Sequence, residues 1–306
     1  MKIEITPNQS INKTLYTIES GSTIILNDGI YNEKIEIWKD SIKIQAKHPG
    51  KAIITNKDYY HKIMSDSNEC NTFRTYTLYV GADHVTLEDL IIQNEATPSS
   101  IYGQAVALHV DGNDFCCNRC VISGAQDTLF SGPMPSDLLD RYQGFYPKEK
   151  LKGSLSTQLY SHCKIIGDVD FIFGCGIALF DHCELISLER GTTSPSYICA
   201  PAHPKESPFG FLFYKCSLKG NEPAYLARPW RDYGCVAFIE CDMGQHIVSE
   251  GFHKWNQTER DKTARFYEYT LNASLEHRVP WSHQLNSLEA KEYFTQFTKF
   301  FNKNRF

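Results

Sequence analysis

The chain has 306 residues, 42% of them hydrophobic, and 36 acidic side chains against 31 basic ones give a net charge of −5. That is enough apolar content for one large core or two modest ones, and an acidic balance without a basic stripe argues against a nucleic-acid partner. Nowhere do 18 apolar residues run together, so no membrane partner is expected.

In chain order, the opening Met1-Lys2-Ile3-Glu4-Ile5-Thr6-Pro7 lacks the apolar stretch of a secretory signal. The eleven cysteines cannot all pair, and their scatter, including adjacent Cys116 and Cys117, is unlike a secreted disulfide framework. The expectation is a cytoplasmic protein, the alternative being a secreted one whose signal has been removed. From Val85-Thr-Leu-Glu-Asp-Leu-Ile-Ile onward a short phrase recurs, and in later copies it opens on cysteine: Cys120, Cys163, Cys183, Cys216 and Cys241, at intervals of 43, 20, 33 and 25 residues. Such periods mark solenoids. The repeating segments are short and β-branched, with Gly, Asn and Asp between them, which favours strands over helices. The fold expected is all-β, a parallel β-helix in one domain over 1–306, with the cysteines stacked inside as small core residues.

Cys117-Asn-Arg-Cys120 has C-x-x-C spacing but no second half-site, and the His162-Cys163 and His182-Cys183 pairs would point to opposite faces of a strand. No metal and no cofactor is expected. Between Ser131 and about Ser156, three prolines, three glycines and mixed charges predict an insertion loop beside the site (about 131–156). At the C-terminus, Leu288, Tyr293, Phe294, Phe297, Phe300 and Phe301 recur at three-to-four spacing, with Asn286 as N-cap and Glu289 three residues later. They predict a capping helix over about 287–302, packed as a lid or along the side.

The residues with the clearest chemistry lie in four blocks. Asp170 sits within Gly167-Asp-Val-Asp-Phe-Ile-Phe-Gly174, where a strand core would be apolar, and a buried carboxylate needs a partner. Arg228 can supply it. A second carboxylate, Asp127, is 43 residues upstream, two coils away or one coil plus the insertion, and the insertion is the reading adopted. Neighbouring carboxylates should split, with one pKa pushed up and the one beside Arg228 held down, giving an acid and a nucleophile at one pH. Gln104 and Gln126 are 22 residues apart, about one coil, so their amides should meet. Paired donors suit an oxyanion, although an amide ladder at a turn is the bland alternative; the adjacent aspartates favour the first. Gln126 and Asp127 are sequence neighbours, so both reach one cleft only if the chain bends, expected near Gly124. Trp230, two residues after Arg228, should share its face and either stack on a sugar ring or pack in the core. Strand parity turns Phe171 and Phe173 away from Asp170.

Taken together, Gly29-Ile-Tyr-Asn-Glu33, Gly103-Gln-Ala-Val-Ala-Leu108, Gly124-Ala-Gln-Asp-Thr128, Gly167 to Gly174 and Ala227-Arg-Pro-Trp230 resemble the pectin methylesterase family, in order and over roughly Gly21 to Leu285. The resemblance implies a right-handed parallel β-helix and a metal-free hydrolase acting on methyl-esterified homogalacturonan or oligogalacturonides, expected here as a monomer. It implies Asp170 as nucleophile, Asp127 as general acid and base, Gln104 and Gln126 as oxyanion donors, and Arg228 as the residue orienting the nucleophile. Trp230 and Phe173 become substrate contacts, against the parity argument for Phe173. A pectate lyase or polygalacturonase on the same scaffold, or a non-catalytic pectin-binding module, are the alternatives; the first class would want an acidic calcium cluster or several acids at a glycosidic bond.

Overall fold

A computed structural model describes residues 1–141 and 155–305. Its strands form three parallel sheets of eleven, seven and seven strands, and the chain visits them in rotation. One coil runs through Phe115–Asn118, Val121–Ser123 and Leu129–Ser131; the next runs through Thr157–Ser161, Lys164–Gly167 and Val169–Gly174; a third runs through Ile177–Asp181, Glu184–Ser187 and Ser196–Pro201. Each strand pairs in parallel with its counterpart in the next coil. This is the expected parallel β-helix.

The cysteine phrase marks the corner between the first and second sheets. Arg119, His162, His182, Lys215 and Glu240 each turn the corner with φ between 51° and 54°, a left-handed single-residue turn. The following cysteine then points inward. Cys163, Cys183, Cys216 and Cys241 are buried, and their thiols donate to carbonyls of the preceding coil at 3.2–3.3 Å. A thiol is small enough for the corner and still satisfies a carbonyl, which explains the repeat. Beside it, Tyr160, Phe180, Phe213 and Phe238 stack ring on ring at 4.5–4.7 Å, the spacing of adjacent parallel strands.

The C-terminal helix spans Ser287–Asn304, and Asn286 and Glu289 form a capping box. It does not close an end of the solenoid. Ala290, Phe297 and Phe301 pack on Ile177, Leu212, Ala237 and Ile239, outward-facing residues of the eleven-stranded sheet, so the helix lies along the side. Leu288, assigned to the apolar stripe from its spacing, is exposed. The N-terminal end is covered instead by a helix at Ile11–Thr17 that buries Ile11 and Leu15; the Glu33 carboxylate accepts from Ser10 Oγ and the amides of Ile11 and Asn12. Two apolar residues in seven are too few for a helical period to stand out.

Strand Leu129–Ser131 pairs directly with Val169–Gly174, so Asp127 and Asp170 occupy adjacent coils separated by an insertion. Of that insertion, Ser136–Arg141 is helical. The part expected over 142–154 lies outside the described residues.

Candidate active site

Two breaks in strand regularity build the site. Between Val169 and Ile172 the pairing advances three residues against two on the neighbouring strand, Tyr197 to Cys199, a bulge whose extra residue is Asp170 at φ +48°. On the preceding coil Asp127 is itself left-handed, at φ +63°. The bend that lets Gln126 and Asp127 share a cleft is therefore at Asp127, not at Gly124. Gly167 is required by close packing, since a Cβ there would stand 2.2 Å from that of Phe171 and 2.6 Å from Thr128 Oγ1. The bulge also breaks the parity argument: Phe171 and Ile172 both enter the interior, while Phe173 joins an outer aromatic cluster with Phe130, Phe73 and Trp230.

A cleft of about 680 Å³ is lined by Gln104, Gln126, Asp127, Asp170, Phe173, Arg228 and Trp230, all seven residues singled out from the sequence. Gln104 and Gln126 lie side by side across a parallel bridge, as the one-coil spacing required. Arg228 grips Asp170 with two bonds, Nε to Oδ1 at 2.9 Å and Nη2 to Oδ2 at 2.6 Å. The strand Ala224–Ala227 stops just before it, but the amides of Arg228 and Trp230 still bond to Cys199 O and Pro201 O. The extended course thus continues, and both side chains emerge on the cleft side. Trp230 meets Phe173 edge to face at 5.7 Å and stays partly exposed.

Asp170 is 6% and Asp127 9% exposed. Burial pushes the Asp127 carboxyl well above its ordinary range, and the Asp170 charge adds to this while Arg228 opposes it. At Asp170 burial also raises the pKa, against the bonds and charge of Arg228. The expected split survives only in part: Asp170 is not held below the usual carboxylate range, but the guanidinium is bonded to it and not to Asp127. Asp127 is the better proton holder, and Asp170 the better anion.

Several cleft features escaped the sequence reading. Tyr60, Thr72 and Phe73 reach the cleft from the segment between the strands Ala52–Asn56 and Leu78–Val80, which carries no repeat signal. Asp168, present in the Gly167 to Gly174 block, is a buried acid beside the cleft and not in its lining, bonded to Ser99 Oγ and raised mainly by burial. Trp255 lines the cleft and lies face-on to Arg228, whose Cζ is 4.0 Å from the ring centroid. Its sequence signal, a tryptophan between Lys254 and Asn256, gives no hint of that contact.

The family model described as Pectinesterase matches residues 5–134 and 146–303. Among curated relatives, "Pectinesterase QRT1" of Arabidopsis thaliana is 28% identical over 285 residues, covering 88% of this chain and 67% of its own. Among solved structures, pectin methylesterase from carrot superposes with a TM-score of 0.77 at 19% identity, covering 97% of this chain and 95% of that one. A pectin methylesterase solved in complex with a hexasaccharide gives 0.71 at 22% identity, covering 93% and 91%. These structural likenesses concern the fold.

Proposed function

The chain belongs to the pectinesterase family, and from that premise we propose that it hydrolyses the methyl esters of galacturonate residues in pectin or its oligogalacturonide fragments, releasing methanol. The observation that carries this reading is one cleft holding an arginine-gripped carboxylate, a second buried carboxylate on the preceding coil, and two bridged glutamines. In this mechanism Asp170 attacks the ester carbonyl, and the tetrahedral oxyanion is held by the amides of Gln104 and Gln126. Asp127 gives its proton to the departing methanol, then takes one from the water that cleaves the acyl-enzyme. Trp230 and Phe173 offer apolar faces to the sugar rings, in keeping with a structural neighbour that was crystallised with a hexasaccharide.

Methylated oligogalacturonides of defined length are the sharper substrates for the test, with methanol as the readout. Methanol at a rate above an Asp170→Asn control supports the reading. Loss of viscosity or a rise in unsaturated ends without methanol would favour lyase or galacturonase chemistry, and saturable binding with no product would favour a binding module. We also place the protein in a reducing compartment, a reading supported by eleven free thiols, nine of them buried; mass spectrometry after alkylation of the native source would test it.

A further inference from the structure

Arg228 is held from three sides. Its edge bonds to Asp170, one face lies 4.0 Å from the Trp255 ring centroid, and Tyr197 lies 3.8 Å from its Cζ. Trp255 lines the cleft, whereas Tyr197 is not among the described residues that do. Tyr197 is set by the sheet: it pairs with Val169, immediately before the bulge at Asp170, and with Tyr225, on which it stacks at 5.4 Å and 12°. His253 packs against both tyrosine rings. A flexible arginine side chain would lose its rotamer freedom at some cost, and two aromatic faces restrict it to the plane in which Nε and Nη2 meet the two carboxylate oxygens.

Resting on the esterase reading above, we propose that Tyr197 is a positioning residue: its ring supports the guanidinium of Arg228 in the plane that holds Asp170 for attack. Tyr197 touches neither the reacting atoms nor the cleft, and acts only through Arg228. The groups that bear on Asp170 from the surrounding strands are Arg228, Asp127, Asp168 and the buried Cys199, with His253 on the far side of Arg228. A guanidinium free to swing would stabilise the Asp170 anion less, so the carboxylate would ionise at higher pH.

The test compares Tyr197→Phe, Tyr197→Leu and Tyr197→Met in the full chain. Phenylalanine keeps the face and should keep wild-type kcat and pH profile. Leucine and methionine remove the ring and should lower kcat roughly 2- to 30-fold, leave KM nearly unchanged, and move the acid limb of the kcat profile to higher pH. Methionine, unbranched and adaptable, covers the case in which leucine fails to fold. Wild-type kcat and acid limb in the ringless variants, or an equal loss in Tyr197→Phe, overturn the proposal. Carbon-13 titration of the aspartate carboxyls keeps this outcome separate from failure of the esterase reading: without any methanol release, an upward shift of Asp170 in Tyr197→Leu but not in Tyr197→Phe still supports the support role, and no shift overturns it.

Discussion

Arg228 and Asp170, 58 residues apart in sequence, meet as a two-bond pair at 2.9 and 2.6 Å, and only a one-residue bulge brings the carboxylate to the guanidinium. Planar bidentate geometry fixes the carboxylate in direction as well as charge. Held in this way, Asp170 can present an oxygen to a carbonyl without first leaving its partner.

Asp170→Asn is therefore expected to remove turnover while the fold persists, because a carboxamide of the same shape cannot attack. The loss in kcat should reach roughly three orders of magnitude or more. Methanol assays with circular dichroism on the same sample check both halves; activity above about a tenth of wild type would exclude Asp170 as nucleophile.

Gln126→Ala should lower kcat by roughly 100-fold with little change in KM, the signature of a donor that acts on charge formed in the transition state. Trp230→Ala should do the reverse, raising KM more than it lowers kcat. If the tryptophan variant unfolds instead, its ring serves the aromatic cluster around Phe173 and Phe73 more than the substrate.

The acid of the pair gives a pH prediction. Since burial and the Asp170 charge raise the pKa of Asp127 in the folded chain, the native state binds the extra proton between the unfolded and folded values. Stability from this group is fully present below the unfolded pKa and is lost as pH rises through the folded one. Asp127→Asn should consequently flatten the fall of Tm with rising pH and stabilise the protein near neutrality by about 1 kcal/mol, while abolishing turnover. Thermal melts of both proteins across pH 4–8 (roughly the span of such raised carboxylates) check it; parallel curves would rule it out.

Asn94 anchors the segment that supplies Tyr60, Thr72 and Phe73 to the cleft. It is 2% exposed, its Nδ2 lies 2.9–3.0 Å from the carbonyls of Asp58, Thr75 and Val106, and its Oδ1 accepts from Ala96. Asn94→Ala leaves these buried groups without their partner and should cost about 2–3 kcal/mol. Hydrogen exchange should speed up in 58–75 before the rest of the coils, and KM should rise; uniform exchange across the chain would remove the anchor role.

The sequence by itself determined the solenoid and seven of the residues that line the cleft. Periodic cysteine phrases, short β-branched segments and the 22-residue step from Gln104 to Gln126 are local patterns repeated once per coil, and stacking copies turns them into neighbours with little further information. The same holds for the capping box of the C-terminal helix, whose signals all lie within four residues. Where that helix docks was decided by the outward faces of Leu212, Ala237 and Ile239, far from it in sequence. The direction of each side chain in the cleft was likewise a tertiary matter. Period-two parity fails where Asp127 and Asp170 take positive φ, a conformation unfavourable for such residues that packing around Gly167 and the Arg228 bonds must sustain. Tyr197 and Trp255 close on Arg228 from different coils, and no spacing along one chain encodes a contact made face to face in space.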